Sequence, residues 1–569
     1  MAPPSRASSA ESAVPAGAAP AGGGAGSARA APAGGGAGSA RAAPAGGGAG
    51  SARAAPAGGG AGSAGAAPAG GGAAPAGAAA AARPAWPWGG GPASPWIGGR
   101  FVAGAGATIE DRSPATGALL AEVQLADAGQ VGEAVAAATA AQREWARRSI
   151  RERAEAIEQL ADRILERNED FGLTDARDTG SPLTAMRNGA RKGALYLKQL
   201  AGAALELQGR TVPASTGWHV VKPEPYGVVG AIAAFNHPTL YACLKSGPAL
   251  IAGNAVVLKP AEQAPLTALL FASLTDGLLP PGLLAVLPAA ADASAAITTH
   301  RDVQRISFTG SVEVALKIQE GIARAGRIKS VSLELGGKNP ILVFPDADLD
   351  EAAAAVVRGM NYTRVQGQSC GSTSRLLAHE SLVAPLTERI LERVAQIRIG
   401  LPEDPATEMG SLISHAHRER VLGFVERAVA AGGELLAGGT PPEDPALAGG
   451  AFLKPTVIGG VRPEMELAAE EVYGPVLAIM SWREEAEAIA LANATEYGLT
   501  ASIWTRDLSR ALRTADALAT GYIWVNDVET RYTGVPFGGW KQSGVGTEQG
   551  LLADIMQATR PKAVNIAVS

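Results

Sequence analysis

Large hydrophobic residues divide the chain into two regions near Trp96. Before this position the chain consists mainly of Ala, Gly, Pro and Ser, with almost no large apolar side chain. After it, apolar and charged positions alternate as they do in globular proteins. The stretch 151–168 predicts an amphipathic helix, because Ile157, Leu160 and Ile164 fall on one face and charged residues lie opposite.

Short apolar runs alternate with helical patterns throughout the second region. This alternation is typical of parallel sheets that carry helices on both faces. We therefore predict an α/β fold class. The runs that we expect to form strands are Gly227–Phe235, Ala255–Leu258, Leu283–Leu287, Arg305–Phe308 and Ile341–Phe344.

The first region contains a twelve-residue unit, APAGGGAGSARA, which begins at Ala19, Ala31 and Ala43. Each unit lacks Leu, Ile, Val and aromatic residues, so it has no hydrophobic face whose burial could offset the entropy lost on ordering. We predict that residues 1–93 form a disordered tail. A transit peptide is the alternative, but the segment lacks the amphipathic apolar residues of such peptides.

Composition and charge exclude several classes of protein. The 569 residues suit two or three domains, and 49 Lys plus Arg against 54 Asp plus Glu argue against nucleic acid as a partner. No uncharged apolar run reaches the roughly 18 residues of a membrane-spanning helix, so we expect no membrane partner. Two cysteines, Cys243 and Cys370, cannot form a disulfide framework or a cysteine-rich zinc site. We therefore predict no metal and a reducing, cytoplasmic location.

The residues around Cys370 are unusual for a structural cysteine. Glycine and small polar residues surround it in the stretch 367–371, which predicts a tight turn whose backbone N–H groups can point at a bound oxygen. Cys243 lies in the apolar stretch 241–244 and is interpreted as a small buried hydrophobic residue.

Two other polar residues follow predicted strands. Glu334 ends an apolar strand beside paired glycines, where a carboxylate is either a capping group or a general base with a shifted pKa. Asn236 follows the run 227–235 and offers an amide donor for an oxyanion, although a turn asparagine is the simpler interpretation.

Two further motifs are suited to a nucleotide. Lys259 and Glu262 end the next predicted strand, at the sheet edge where α/β proteins bind ligands, so they could bind ribose hydroxyls. Gly310 and Ser311 end another strand and begin a helix, whose free N–H groups favour a phosphate. Each motif alone is a weak signal.

Together and in this order, the motifs resemble the aldehyde dehydrogenase superfamily. The resemblance extends from about Trp96 to the C-terminus, which is essentially the whole globular region. Further stretches that carry it are Trp96-Ile-Gly-Gly-Arg-Phe101, Glu470-Glu-Val-Tyr-Gly-Pro-Val476, Tyr497-Gly-Leu499, Trp524-Val-Asn526 and Pro536-Phe-Gly-Gly-Trp-Lys-Gln-Ser-Gly544.

The resemblance implies a covalent mechanism. Cys370 matches the family nucleophile, which attacks the aldehyde carbon, while the Asn236 side chain and the Cys370 backbone N–H hold the oxyanion. Hydride transfer to nicotinamide then leaves a thioester. Glu334 matches the base that activates water, the second substrate, for hydrolysis. Lys245 matches a family lysine associated with proton relay.

The resemblance also implies a cofactor and its ligands. Lys259 and Glu262 match the clamp on the adenosine ribose, and a glutamate there repels a 2′-phosphate. We therefore expect NAD to be preferred, although some family members also use NADP. The remaining matches lie near the pyrophosphate, the nicotinamide and its ribose: Gly310, Ser311, Glu471 and Tyr473.

The same alignment predicts a substrate funnel. Its expected lining is Phe235, His237, Tyr241, Leu244, Ser369 and Gly371, with the loop Val528–Tyr532 at its mouth. His237 replaces a common aromatic residue, and Arg531 adds a cation. These residues predict a polar or aromatic aldehyde, with an acidic group as one option, unless Arg531 is simply a solvated loop residue.

Other functions remain open. A betaine-aldehyde or aminoaldehyde dehydrogenase is the first alternative, because the stretch 370–375 resembles that branch, although Arg531 would repel a cation. A relative that transfers the thioester to coenzyme A is less favoured, since that branch typically lacks the hydrolytic Glu334. A non-catalytic homologue is disfavoured by the intact Cys370, Asn236 and Lys259.

The resemblance finally implies an organisation into parts. We expect a Rossmann-type dinucleotide-binding domain at 94–333, interrupted by an oligomerisation hairpin near 208–226. A catalytic domain at 334–549 and a C-terminal oligomerisation segment at 550–569 would follow. The C-terminal strand and the hairpin would form a small sheet that bridges a homodimer or homotetramer, because an exposed strand edge would otherwise stay unpaired.

Overall fold

The structure of the chain is a computed structural model that describes residue 86 and residues 91–568. The predicted disordered tail, residues 1–93, therefore lies almost wholly outside the described residues. The described part alternates strands and helices along most of its length.

The strands of the described part are numbered β1 to β22 in chain order. They are Trp96–Ile97, Arg100–Phe101, Thr108–Arg112, Leu119–Gln124, Arg210–Ala214, Gly217–Pro225, Val228–Ile232, Ala255–Lys259, Leu284–Val286, Val303–Thr309, Ser330–Glu334, Pro340–Val343, Arg375–His379, Glu434–Ala437, Thr456–Gly459, Val476–Trp482, Tyr497–Gly498, Thr500–Trp504, Tyr522–Val525, Trp540–Lys541, Gly544–Val545 and Thr559–Ala567.

The α-helices of the same residues are numbered α1 to α16, and Pro445–Leu447 forms a short 3-10 helix. They are Ala128–Trp145, Ile150–Glu166, Asn168–Thr179, Leu183–Ala204, Pro238–Ile251, Leu266–Ser273, Ala291–Thr299, Val312–Arg324, Leu349–Gly359, Tyr362–Val365, Glu380–Ala395, His415–Ala430, Glu466–Ala469, Glu485–Asn493, Leu508–Ala517 and Leu552–Gln557.

Two large sheets form the frame. The first has the order β2-β1-β9-β8-β7-β10-β11-β21, in which the five strands from β9 to β11 are parallel. The second has the order β14-β15-β16-β13-β12-β18-β19 and is parallel except at β14. The α/β fold class is confirmed.

The predicted apolar runs form central strands of these sheets. Every residue of β7 and β8 is buried, as is expected for parallel strands covered on both faces. The predicted amphipathic helix is α2, which buries Ile157, Leu160 and Ile164. It begins at a capping box in which Ser149 and Glu152 each bond to the other's backbone N–H.

The strand register brings several chain segments to one edge of the first sheet. Ile232 pairs with Lys259 and with Phe308, and Thr309 pairs with Glu334. The carboxyl ends of β7, β8, β10 and β11 are therefore level. The polar residues that follow these strands must lie close together, which is how this sheet positions the site.

The chain's last strand also pairs with the expected hairpin. Strands β5 and β6 form the hairpin, and β22 pairs with β6 along its length, from Gly217 to Pro225. The face of this small sheet is open, since Trp218 is 59% exposed. Strand β21 joins the first sheet instead of the second, so the later part of the chain completes the frame of the earlier part.

No helix within residues 91–568 combines the length and the apolar character that crossing a membrane would require.

Candidate active site

The turn that carries Cys370 is held by close backbone contacts. Asn361, Gln366 and Gly367 all have positive φ, between 54° and 72°. At Gly367 a Cβ atom would lie 2.3 Å from the Gly474 carbonyl oxygen, so only glycine fits this approach. The chain is thereby forced into a compact loop before β13.

Two asparagines hold the backbone on either side of the thiol. Asn236, which follows β7, donates from Nδ2 to the Gln368 carbonyl oxygen at 2.9 Å. Asn339, which precedes β12, donates from Nδ2 to the Cys370 carbonyl oxygen at 2.7 Å. Asn236 is buried and its Oδ1 has no partner in the described part of the chain. The first sheet and the second sheet therefore both position the thiol.

The thiol of Cys370 lies in an apolar environment with one cation beside it. Cys370 packs against a cluster that contains Trp524 and Phe537. Burial raises the pKa of the thiol to about 11, and the positive charge of the Arg531 guanidinium opposes that rise. The thiol is accordingly a nucleophile that needs a proton acceptor or a positive charge to ionise.

Glu334 lies at the end of β11 and is 5% exposed. Neither carboxylate oxygen has a hydrogen-bond partner among the described residues. Burial raises its pKa well above the usual range, and the nearby Glu548 adds to the rise, while Lys245 and Arg531 oppose it. An unpartnered carboxyl with a raised pKa has the properties of a general base and not those of a capping group.

Lys245 does not stand beside the thiol. Its Nζ lies 2.5 Å from Oε1 of Glu548 and donates to the Ser307 hydroxyl at 3.1 Å. Lys245 lies on α5, where it is 3% exposed. The pair therefore forms a buried polar group whose charges act on Glu334.

A cavity of about 860 Å³ extends from Cys370 and Glu334 along the carboxyl ends of the strands. All six residues predicted to bind the cofactor line it: Lys259, Glu262, Gly310, Ser311, Glu471 and Tyr473. Lys259 Nζ lies 3.5 Å from Oε1 of Glu262. Burial lowers the pKa of Lys259, and the adjacent glutamate opposes this effect.

The walls of this cavity are shaped by glycine. A Cβ at Gly310 would lie 2.4 Å from the Phe308 ring, and one at Gly336 would lie 2.1 Å from Oε2 of Glu471. Ser311 caps α8 by accepting a hydrogen bond from the Val314 N–H. Ala291 and Ala295 of α7 also line the cavity, and their small side chains leave this space open.

Glu471 lies at the inner end of the same cavity. It accepts a hydrogen bond from the Gly337 N–H at 3.0 Å, and burial raises its pKa to about 7. Tyr473 has a positive φ of 56°, and its ring stands edge-on to Phe235 at 5.9 Å. These side chains form a polar and an aromatic wall near the thiol.

A second cavity, of about 250 Å³, reaches Cys370 and Glu334 from the other side. Five of the predicted funnel residues line it, together with Arg531: His237, Tyr241, Leu244, Ser369 and Gly371. Phe235 does not: it lines the larger cavity, because its ring packs against Tyr473. We call this second cavity the tunnel.

Arg531 is an exposed loop residue, but its guanidinium contacts residues of the site. Its guanidinium carbon lies 3.8 Å from the centroid of the Phe537 ring, which is 4% exposed. A Cβ at Gly371 would lie 2.6 Å from Nη2 of Arg531. The guanidinium therefore lies inside the tunnel, against the turn that carries Cys370.

Sequence reasoning missed four side chains of the site. Asn339 follows the paired glycines beyond Glu334, and Glu548 follows the quoted stretch 536–544, but neither was singled out. Lys192 and Arg364 lie on helices α4 and α10, where a charged residue ordinarily indicates a solvated face. Only the fold brings both of them into the tunnel wall.

Comparison with known proteins identifies a family and several similar structures. The sequence model of the aldehyde dehydrogenase family matches residues 101–564. Among solved structures, the NAD-dependent aldehyde dehydrogenase from Sinorhizobium meliloti is 36% identical with a TM-score of 0.80, over 84% of this chain and 94% of that one.

Two further structures are similar. PnpE from Pseudomonas sp. WBC-3 is 36% identical with a TM-score of 0.81, over 84% of this chain and 98% of that one. A structure of PnpE in complex with nicotinamide adenine dinucleotide also matches. A mutant of AldA, an indole-3-acetaldehyde dehydrogenase from P. syringae, in complex with NAD+ and IAA, is 35% identical with a TM-score of 0.81, over 84% of this chain and 96% of that one.

Proposed function

This chain belongs to the aldehyde dehydrogenase family, and we propose that it uses NAD to oxidise a polar or aromatic aldehyde to the carboxylic acid. One observation carries the proposal. Cys370 and Glu334 both line the larger cavity and the tunnel, so a nucleophile and an unpartnered base stand where the two cavities meet.

The first half of the reaction forms a bond to sulfur. The thiolate of Cys370 attacks the aldehyde carbon, and the carbonyl oxygen becomes an oxyanion. Asn236 uses one amide hydrogen for the Gln368 carbonyl, which leaves its second hydrogen for this oxyanion. NAD, when bound, would supply the acceptor for the hydride of the same carbon, and loss of that hydride would leave the substrate as a thioester on Cys370.

The second half of the reaction is hydrolysis. The Glu334 carboxylate takes a proton from water, the hydroxide attacks the thioester carbon, and the carboxylic acid leaves as the Cys370 thiolate is restored. The raised pKa of Glu334 makes its carboxylate a stronger base than a solvated glutamate. Lys245 and Glu548 form an ion pair near Glu334. We propose that this pair passes the proton of Glu334 to solvent.

The larger cavity fits NAD by its donor set. Lys259 and Glu262 stand as a charge pair at the end of β8, where they suit ribose hydroxyls. The negative charge of the Glu262 carboxylate disfavours a 2′-phosphate, so NAD is preferred to NADP. The amino end of α8 and Gly310 suit the pyrophosphate, while Glu471 and Tyr473 suit the nicotinamide ribose.

The tunnel supports the substrate class. Its lining combines Tyr241 and Trp524 with His237 and Ser369, so it accepts both rings and polar groups. A betaine-type aldehyde remains the second candidate from the sequence, but the guanidinium of Arg531 opposes a cationic substrate. Coenzyme A transfer is disfavoured because Glu334, the residue to which we assign the activation of water, is present with an unpartnered carboxylate.

The proposal extends to the assembly and the location of the protein. The small sheet formed by β5, β6 and β22 has exposed apolar side chains, Trp218 and Ile566 among them, which suits a homodimer or homotetramer. The buried, unpaired thiol of Cys243 and the tuned thiol of Cys370 suit a reducing cytoplasm.

The test is a spectrophotometric assay for NADH. Purified full-length protein is given NAD and a panel of aromatic, polar aliphatic and quaternary ammonium aldehydes, with and without coenzyme A. We expect NADH without coenzyme A, and the carboxylic acid as the product by mass spectrometry. NADH formation that requires coenzyme A contradicts the hydrolytic role of Glu334, and silence across the panel while NAD binds contradicts the enzyme assignment.

A further inference from the structure

We infer that the tunnel selects aldehydes that carry a carboxylate within a few bonds of the carbonyl, and that Lys192 and Arg531 determine this selectivity. The inference rests on the proposed function and deepens it. Its basis is an excess of positive charge in the tunnel wall that no side chain of the described residues neutralises.

The cations come from three separate elements. Lys192 lies on α4, Arg364 on α10, and Arg531 in the loop after β19. On α4 the spacing of Lys192, Leu195, Tyr196 and Gln199 places these four residues on one helical face, and all four line the tunnel. The position of Lys192 in the wall is therefore built into the helix.

Two of the acidic residues in the tunnel wall already form ion pairs. Glu529 forms an ion pair with Arg364, and Glu548 forms one with Lys245. Glu334 has no hydrogen-bond partner among the described residues, and burial raises its pKa, which disfavours a negative charge there. Among residues 91–568, neither Lys192 nor Arg531 has an ion-pair partner, so two positive charges remain.

The neighbouring groups respond to this charge. The pKa of Lys192 is lowered by burial and by Arg364 and Arg531. The pKa of His237 is lowered by burial and by the same cations, so its ring is neutral. The His237 Nδ1 atom is buried and has no hydrogen-bond partner in the described part of the chain. A bound anion would relieve the repulsion and could accept a hydrogen bond from this ring.

The position of Arg531 limits the length of the substrate. Its guanidinium stacks on Phe537 and lies against Gly371, next to Cys370, so a group that contacts it lies close to the reacting carbon. The carboxylate of a long-chain aldehyde would lie beyond this guanidinium and would not contact it. A short acidic aldehyde can place its carbonyl at Cys370 and its carboxylate between Arg531 and Lys192.

Arg531 could instead serve only the thiol, because a cation beside sulfur favours the thiolate. The two roles differ in their consequences. A cation that serves the thiol speeds attack on every aldehyde, whereas a cation that binds the substrate's carboxylate acts on acidic aldehydes alone. Lys192, for which no contact with Cys370 is found, isolates the second role.

The experiment compares kcat/KM for pairs of aldehydes of similar size. The pairs are 5-oxopentanoate with pentanal and 4-formylbenzoate with 4-methylbenzaldehyde. We expect the wild type to prefer each acid by tenfold or more, and the Lys192→Met variant to lose about tenfold of that preference through KM, with the neutral aldehydes unchanged. Arg531→Met should lose the preference as well, and Arg531→Lys should restore part of it.

Lys198→Met is the matched control. Lys198 lies on the same helix but pairs with Asp162 at 2.6 Å and does not line the tunnel, so its variant should keep the preference. Wild-type protein that oxidises pentanal as well as 5-oxopentanoate overturns the inference and leaves the proposed function intact. Equal losses for acid and neutral aldehydes in both variants also overturn it. Absence of NADH with all four aldehydes overturns the proposed function itself.

Discussion

The two cavities that meet at Cys370 are lined by different kinds of structural element. The larger one is walled by segments that leave neighbouring parallel strands, and glycines set its shape at Gly310 and Gly336. The tunnel is walled by side chains of α4, α5 and α10 and of the loop around Arg531. The backbone of the sheet determines the shape of the larger cavity. The side chains that pack over the sheet determine the shape of the tunnel.

This difference separates what the fold fixes from what it leaves free. A close backbone approach tolerates only glycine, so the larger cavity can change little without moving a strand or a carboxylate. A side chain on a helix face can be exchanged while the helix stays in place. We therefore expect substitutions in the first cavity to alter cofactor use for every aldehyde, and substitutions in the tunnel to alter the choice of aldehyde.

The largest effect should come from the point that both cavities share. Replacing Cys370 by alanine removes the nucleophile, so kcat should fall by on the order of 10⁴-fold or more for all aldehydes. NAD binding, measured by calorimetry, should persist. Cys243→Ala is the control, since this buried thiol contacts neither cavity, and it should retain turnover. Full activity of the Cys370 variant would contradict the mechanism.

The next effect concerns the base at the same junction. Glu334→Gln keeps the shape of the side chain but cannot accept a proton, so hydrolysis should slow by roughly 10²–10⁴-fold. Acylation should continue, and rapid mixing should reveal a burst of about one NADH per active site. A variant without a burst, or with an undiminished steady rate, would show that Glu334 acts elsewhere.

The same variant has a pH signature. Because burial raises the pKa of Glu334, the wild type gains carboxylate as pH rises, and thioester hydrolysis should accelerate with pH. The glutamine variant should lose this acceleration in its steady rate. The burst should still accelerate with pH, because the Cys370 thiol, whose pKa burial raises to about 11, still ionises in the variant as pH rises.

The contrast between the cavities also explains what could be predicted from the sequence. Apolar runs predict β7, β8, β10 and β11, and parallel pairing puts their carboxyl ends at one edge. Residues that follow those ends, such as Asn236, Lys259 and Glu334, are therefore accessible to local reasoning. Their neighbourhood follows from strand geometry alone.

Tertiary contacts were harder to predict. Asn339 holds the Cys370 carbonyl from the second sheet, and Glu548 reaches Lys245 across 303 positions of chain. Phe235 was expected in the tunnel, but its ring packs against Tyr473 and lines the larger cavity. Lys192 has the pattern of a surface lysine, and only the packing of α4 reveals its role. Sequence patterns do not show which residues, far apart along the chain, are in contact.

A smaller effect should test the glycine wall. Gly336→Ala would place a methyl group 2.1 Å from Oε2 of Glu471, so the carboxylate must move and its bond to the Gly337 N–H weakens. We expect the KM for NAD to rise by about tenfold, equally with acidic and neutral aldehydes. Gly202→Ala, at an open position on α4, is the control. A change confined to one class of aldehyde would break the division between the two cavities.

The smallest effect should separate the two nicotinamide cofactors. Glu262→Gln removes the negative charge that repels a 2′-phosphate but leaves Lys259, so the ratio of kcat/KM with NADP to that with NAD should rise roughly fivefold to tenfold. Glu320→Gln, which disturbs an ion pair with Arg324 on α8 away from the cavity, is the matched control. The ratio of acidic to neutral aldehyde turnover should not change in either variant, because Glu262 belongs to the larger cavity alone. If that ratio shifts with Glu262, the two cavities are coupled through the shared thiol, and selection of cofactor and of aldehyde cannot be assigned to separate walls.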